Sequence, residues 1–431
     1  MRMSVVGCGY LGAVHAAAMA SLGHEVVGVD VDAQKVASLA EGKAPFFEPG
    51  LPELLTENHD TGRLRFTTDV GEVAGCAVHF VGVGTPQKRD GYGADLTYVD
   101  AAVESLLPHL RPGDLVVGKS TVPVGTAERL AVRVASTGAE LAWNPEFLRE
   151  GFAVKDTIEP DRLVYGVASE RAVRVLDEVY AQAMSTGTPR VVTDYATAEL
   201  VKTAANAFLA TKISFINAMA EIAEVTGADV TQLADAIGYD ARIGRRFLNA
   251  GVGFGGGCLP KDIRAFQARA DELGRGDSLA FLKEVDAINL RRRQRVSDVV
   301  REALGGSVYT RRVAVLGLAF KPDSDDIRDS PALDIAVQLN GLGADVRAYD
   351  PEAMPNATRM HPQLRYSASV DDALRDAEAV VLVTEWREFR DLDPVATAEL
   401  VDGTVVVDGR NVLDPAAWRG AGWTYYGLGR P

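Results

Sequence analysis

What this sequence has little of narrows it first. Cysteine is scarce, with 3 in 431 residues, and Cys8, Cys76 and Cys258 stand at unrelated spacings. No CxxC pair or Cys/His cluster occurs, so neither a disulfide framework nor a metal site is indicated, and a reduced, cytoplasmic setting is expected. The histidines (His15, His24, His59, His79, His109, His361) lie beside no cysteine, so no Cys–His catalytic pair is legible. No apolar run approaches the ~18 residues of a membrane span. Met1–Gly23 has a basic start and small apolar residues, but its glycines make it strand, turn and helix rather than a signal peptide. Positive charge is in deficit, with 45 Lys plus Arg against 60 Asp plus Glu, net −15. That balance argues against a nucleic-acid or anionic-membrane surface, yet it allows a local cationic pocket.

What is present is ordinary for a globular chain: 47% hydrophobic and 24% charged residues. The length suggests two or three domains at roughly 150 residues each. In the first half, short apolar strands alternate with amphipathic helices, the pattern of a parallel sheet with crossover helices. Strands are predicted at 3–6, 25–30, 77–83, 115–119 and 140–143. Long helices follow over 196–226 and about 278–304; the second carries Arg291, Arg292 and Arg293, read as a solvated face. After Val308 the alternation restarts, with strands at 312–316, 345–349, 379–384 and 404–408 and a helix at 331–341. The expected fold is α/β: two Rossmann-like doubly wound lobes (1–195 and 306–431) joined by a central helical region (196–305).

Gly7-Cys8-Gly9-Tyr10-Leu11-Gly12 follows a predicted strand and opens a helix. Glycines there permit a tight turn and close approach of a pyrophosphate, and the helix N-terminus offers it N–H groups. The second strand ends at Asp30, where a carboxylate can take a ribose 2′-hydroxyl and would repel a 2′-phosphate, favouring NAD over NADP. Cys8 reads as a small filler and Cys76 as buried.

A second glycine-rich stretch, Gly253-Phe254-Gly255-Gly256-Gly257-Cys258-Leu259-Pro260-Lys261-Asp262, leads into a helix, with Pro260 suiting its first position. Cys258 would then sit at a helix N-terminus, where the dipole favours thiolate, with the glycines leaving room for a ligand. The plain alternative is a buried cysteine after a flexible loop. Lys202 and Asn206, spaced i,i+4, share one helix face, and an amine beside an amide can hold an oxyanion.

Taken together these segments resemble the nucleotide-sugar 6-dehydrogenases of the UDP-glucose/GDP-mannose dehydrogenase family. The matching blocks run in order: GCGYLG at 7–12, GVGTP at 82–86, KSTVPVGT at 119–126 and NPEFLREG at 144–151. They continue with ELVKTAANAFLATKISFIN at 199–217, GVGFGGGCLPKD at 251–262, GLAFKPDSDDIRDSP at 317–331, TEWREF at 384–389 and DGRN at 408–411.

The resemblance implies oxidation of a sugar C6 alcohol to a carboxylate with two NAD+, through a Cys258 thiohemiacetal and thioester. Lys202 and Asn206 would stabilise oxyanions, Thr121 and Asp262 would hold or activate water, and Glu146 would be the general base. For the cofactor it implies Gly7, Gly9, Tyr10, Leu11, Gly12, Asp30, Lys35, Thr85, Thr121, Glu150, Lys261 and Arg328. For the nucleotide sugar, UDP-glucose first, it implies Phe147, Leu148, Glu150, Lys202, Asn206, Phe247, Leu248, Asn249, Gly251, Gly255, Lys321 and Arg410. Arg242 resembles an arginine that reaches a neighbouring subunit's site, so a homodimer or larger homo-oligomer is expected. The dTDP-glucose, GDP-mannose and UDP-N-acetylhexosamine alternatives stay open, although Gly257 stands where the N-acetyl branch usually has histidine.

Overall fold

The computed structural model describes residues 1–431 and divides into two compact units, Met1–Ala205 with Arg264–Gly276, and Asn206–Ile263 with Asp277–Pro431. The helical span 196–305 is therefore shared between them. The first unit contains β1 (Arg2–Val6), β2 (Glu25–Val29), β3 (Leu64–Thr67), β4 (Val78–Val81), β5 (Leu115–Gly118), β6 (Glu140–Trp143), β7 (Leu163–Val167) and β8 (Arg190–Thr193). They form one sheet in the order β3-β2-β1-β4-β5-β6-β7-β8, parallel throughout except where β6 meets β7. Such strands are buried on both faces, which is why β1, β2, β4 and β5 read as continuous apolar runs. Val5 packs into the core on one face with Phe80 and Val117, and Val6 into the core on the other with Val81 and Val116.

The second unit repeats the design with β9 (Arg312–Leu316), β10 (Asp345–Tyr349), β11 (Arg365–Tyr366), β12 (Ala379–Leu382), β13 (Val405–Asp408) and β14 (Thr424–Gly427). Their order is β11-β10-β9-β12-β13-β14. In both sheets the order reverses beside the first strand, so a crevice opens at the strand carboxyl ends, where open α/β sheets take ligands. The Rossmann-like fold class is as the sequence implied.

Four helices matter for the chemistry: α1 (Tyr10–Ser21), α2 (Tyr195–Thr226), α3 (Leu259–Glu272) and α4 (Phe281–Ala303). α1 is buried from Gly12 to Ala20; its alanines fit a helix covered on all sides. Strands β3, β8, β11 and β14 are missed by the apolar pattern because they are sheet edges, and the interior strand β7 is missed although it is buried. β8, for instance, exposes Val191 and Val192. No helix is long and apolar enough to cross a membrane.

The arginine triplet is a correction. Arg292 and Arg293 are 0% and 2% exposed, not a solvated face. Arg292 pairs with Glu224 at 2.9 Å, and Arg293 pairs with Asp329 at 3.1 Å and with Asp334. Burial is tolerated because each guanidinium has a carboxylate partner.

Candidate active site

In the first unit the glycine loop divides its labour. Gly7 has φ +89°, and a Cβ there would lie 2.4 Å from Val83. A Cβ on Gly12 would lie 1.8 Å from the Gly7 carbonyl oxygen, so only glycine lets α1 approach β1. Gly9 differs: a Cβ would meet nothing within 4 Å. It caps α1 through its carbonyl, which accepts from Ala13 N–H at 2.9 Å, and no side chain occupies the helix N-terminus. An open cradle beneath free amides fits a dinucleotide pyrophosphate. Asp30 is 8% exposed and accepts from Cys8 N–H at 2.8 Å, Lys35 Nζ at 3.0 Å and Asp32 N–H at 3.0 Å. Lys35 is thus drawn to the end of β2.

In the second sheet the corresponding Asp350 is fully buried and accepts from Leu318 N–H at 2.7 Å and from the Trp386 indole at 3.1 Å. The Asp350 carboxylate is thus taken up within the chain, and the loop lacks the glycine series.

Tyr10 donates to Glu48, a buried carboxylate that also accepts from Gly151 N–H and Ala153 N–H at 2.7 Å. The cofactor loop and the NPEFLREG segment are thereby tied. Thr85 Oγ1 donates to the Thr121 carbonyl at 2.8 Å, which brings two expected cofactor residues together. Glu146 folds back on its own turn, with Oε1 accepting from Phe147 N–H at 2.8 Å and Leu148 N–H at 3.0 Å. The Phe147 ring lies 3.9 Å from the Arg162 guanidinium carbon and 5.4 Å from Lys202 Nζ. Lys202, half-buried on α2, thus stands over an aromatic face that favours cations.

In the second unit Cys258 is exposed and occupies the residue before α3. Its carbonyl accepts from Asp262 N–H at 3.0 Å, which places it at the N-terminus of the helix. Pro260 is the second helical residue rather than the first. One turn along, buried Asp262 accepts from Asn206 Nδ2 at 2.7 Å and from Lys261 Nζ. Cys258, Lys261, Asp262 and Asn206 are therefore one constellation. Cys8 and Cys76 are buried, and burial pushes both thiols up, away from nucleophilic use. His15 and His79 are held neutral by burial, His79 lowered to about 4.

The room expected beside the cysteine is filled by the chain itself. A Cβ would lie 2.4 Å from the Asp329 oxygen at Gly255, 2.8 Å from the Phe320 ring at Gly256 and 2.3 Å from the Arg328 guanidinium at Gly257. The triple glycine lets the 320–331 loop pack against the cysteine turn. That turn is fixed from behind by α4, since Asn289 accepts from Phe254 N–H at 2.7 Å and donates to Phe254 O at 2.9 Å. Arg293 donates to Phe254 O at 3.3 Å and to Asp329 O at 3.1 Å.

Arg328 is gripped by Asp326 at 2.7 Å, and Lys321 lies 5.5 Å from the Phe320 ring. Arg410 ties three loops, donating to Val383 O and Phe320 O at 2.8 Å and to Gly253 O at 3.2 Å. In the Phe247–Gly251 loop, Phe247 has φ +67°, a strained angle for a bulky residue and frequent at ligand sites. Leu248 is buried, Asn249 accepts from Arg245 at 2.8 Å, and Gly251 N–H donates to Asn217 at 2.9 Å. Arg242 stands in solvent, with 89% side-chain exposure, chelated by Asp240.

Sequence reasoning missed Lys119, Asn144, Tyr180, Glu48, Glu199 and Asn289. Each is a buried polar residue whose partner lies far along the chain, so spacing carries no signal. Lys119, Asn144 and Glu199 stand inside recognised blocks, and a polar residue beside apolar neighbours was the only cue.

The glycine cradle at the strand ends of the first sheet defines a dinucleotide-binding enzyme of the Rossmann class, and the second unit carries an exposed cysteine at a helix end. Comparison with known proteins makes this specific. Residues 1–184, 196–291 and 314–415 match, respectively, the NAD-binding, central and UDP-binding domains of the UDP-glucose/GDP-mannose dehydrogenase family. The chain belongs to that family and is an NAD-dependent oxidoreductase. It is 41% identical to the UDP-glucose 6-dehydrogenase TuaD of Bacillus subtilis, covering 100% of this chain and 93% of that one. It is also 41% identical to the UDP-glucose 6-dehydrogenase of Rhizobium meliloti, with 100% of both chains covered. Among solved structures, a UDP-glucose dehydrogenase from Pyrobaculum islandicum is 40% identical, with TM-score 0.91 over 100% of this chain and 98% of that one. A UDP-D-ManNAc dehydrogenase from Pyrococcus horikoshii is 27% identical, with TM-score 0.87 over 100% and 99%.

Proposed function

We propose that this chain oxidises the C6 alcohol of UDP-glucose to UDP-glucuronate, retaining the intermediate on Cys258. The observation that carries the reading is the exposed Cys258 capping α3, with Lys261 and Asp262 in the next turn and Asn206 reaching Asp262 from α2. NAD+, held by the Gly7–Gly12 loop and Asp30, supplies the hydride acceptor for each of two oxidations. Cys258 thiolate adds to the C6 aldehyde to give a thiohemiacetal, which is oxidised to a thioester. This divides one four-electron change into accessible steps and keeps the aldehyde from escaping. Lys202 and Asn206 stabilise the oxyanions formed at C6. Thr121 and Asp262 hold water, and Glu146 removes a proton from the water that releases the uronic acid.

Glu150, Lys261 and Arg328 complete the cofactor contacts. Phe147, Leu148, the 247–251 loop, Gly255, Lys321 and Arg410 receive the nucleotide sugar, with the two cations at its pyrophosphate. On this reading 1–195 holds the cofactor, 196–305 associates with a second copy and 306–431 holds the nucleotide. α2 supports the association: Phe208, Phe215 and Ile222, at seven-residue spacing, are 67%, 48% and 57% exposed, an apolar stripe that a second copy would cover.

NADH counted per UDP-glucose consumed tests the reading. Two is expected, and one would reduce the enzyme to an ordinary alcohol dehydrogenase. Cys258→Ser should abolish turnover while NAD binding, followed by calorimetry, stays intact; unimpaired turnover would remove the covalent step. Comparison of kcat/KM for UDP-glucose, dTDP-glucose and GDP-mannose fixes the base and sugar, with UDP-glucose expected highest.

A further inference from the structure

Lys119 follows β5 directly, is 4% exposed and has no role in the scheme above. Its ammonium has three donors and three partners: Glu146 Oε2 at 2.9 Å, Asn144 Oδ1 at 3.1 Å and Tyr180 OH at 3.2 Å. Tyr180 OH donates in turn to Asn144 Oδ1 at 2.6 Å. Nζ also lies 5.9 Å from the Phe80 ring and 5.7 Å from the Tyr180 ring.

We propose that Lys119 is a positioning residue for thioester hydrolysis, fixing the Glu146 carboxylate so that one lone pair of Oε2 meets the attacking water. The inference rests on the thioester reading and deepens it. A carboxylate offers about four acceptor sites. Two on Glu146 are taken by Phe147 and Leu148 N–H and one by Lys119, which leaves one. The pair borders a cavity of about 30 Å³, also lined by Asn144, Asp156, Asp161, Arg162 and Tyr180. One water needs roughly 10–15 Å³ when measured this way, so the cavity bordered by Glu146 has room for a molecule. Burial alone would pull the Lys119 ammonium down, yet Glu146 and Tyr180 hold it above the ordinary lysine range, so it stays charged. The other charged or titratable groups around it are His15, kept neutral by burial, Asp156, paired with Arg149 at 2.7 Å, and the cavity-lining Asp161 and Arg162.

Buried ion pairs seldom stabilise more than an apolar replacement of like volume. Fold stability therefore gives little reason for this lysine, whereas orienting a base does. In the step, the water oxygen bonds to the acyl carbon and its proton passes to Glu146 Oε2. The C–S bond breaks with its electron pair going to Cys258 Sγ, so the thiolate is regenerated. No oxidant is consumed.

Lys119→Met and Lys119→Arg, assayed with UDP-glucose and NAD+ by rapid mixing and by mass spectrometry of the Cys258 peptide, test the proposal. Lys119→Met should produce close to two NADH per chain in a burst at nearly the parent rate. Steady turnover should then be slower by at least roughly tenfold, part of the ~10²–10⁴ a general base contributes, and the Cys258 peptide should carry the acyl group. Lys119→Arg, which keeps the charge, should recover part of the steady rate. Burst and steady phases slowed equally, or steady turnover within twofold of the parent, would overturn the proposal. Should Lys119→Met not fold, Tyr180→Phe removes one anchor and keeps the charge. It should show a smaller defect in the steady phase alone, and no such defect would overturn the idea equally. One NADH per sugar in the parent enzyme would instead refute the thioester reading itself.

Discussion

Cys258 and Cys8 are the same residue type beside similar glycines, and the fold gives them opposite lives. Cys8 sits inside the first core with its thiol pushed up by burial, while Cys258 is exposed on a helix end. The glycines of the first loop are equally unequal. Gly9→Val should fold with a Tm close to the parent, because its Cβ enters open space, but should raise the NAD dissociation constant at least about tenfold. Gly12→Ala forces a Cβ against the Gly7 carbonyl and should cost roughly 1–3 kcal/mol of stability, read by denaturant unfolding. Equal effects of the two substitutions would contradict the division of roles.

Titration at the residue scale gives another expectation. Burial lowers His79 to about 4 in the folded chain, against about 6.5 when unfolded. Between those values the unfolded chain binds more protons, so stability rises with pH across the window and is lost as pH falls through it. His15 is shifted in the same direction. Tm should fall steadily from pH 6.5 towards 4, and His79→Gln, able to keep a bond to Ser4, should flatten the slope. An unchanged slope would place the acid sensitivity elsewhere.

At the scale of elements, α4 is a brace rather than a surface helix. Its Asn289 makes both bonds to the Phe254 backbone, and its Arg293 reaches the same carbonyl and Asp329. Asn289→Ala leaves the buried Phe254 N–H unpaired, while Arg293 still reaches the Phe254 carbonyl, at a cost of about 1–3 kcal/mol. Stability should drop by that order, and kcat should fall with it as the cysteine turn loosens. Lost stability with kcat unchanged would show that the brace serves the fold alone. The triplet misled the sequence reading because runs of arginine are normally solvated, and nothing local announces Glu224, Asp329 and Asp334 as partners.

At the scale of the whole molecule, the −15 charge and the exposed apolar stripe of α2 point to different things. A net negative charge of this size repels polyanions at long range. The stripe calls for a partner, and a second copy is the proposed one. Sedimentation of the parent should give at least a dimer, and Phe208→Asp with Phe215→Asp should shift it to monomer; an unshifted parent dimer would locate the interface elsewhere.

The strands buried on both faces, the helix of alanines, the glycine loop and the cysteine stretch were legible in order along the chain, because each is written in local periodicity or in residues few in number and special in backbone freedom. Edge strands were not, since a half-exposed strand has little apolar signal, and the buried interior strand β7 was missed as well. Of the candidate site, the residues inside the motifs could be named from sequence, but their roles as neighbours could not. Only the tertiary structure placed Asp262 against Asn206, gave Lys119 to Glu146, turned the Trp386 indole to Asp350 and buried two arginines of the triplet. Buried charge is decided by long-range partners, because an ion survives desolvation only where the fold delivers its counterpart. The scarce cysteines show the same boundary: the sequence alone determined that they form no disulfide framework, and the fold decided which one meets solvent.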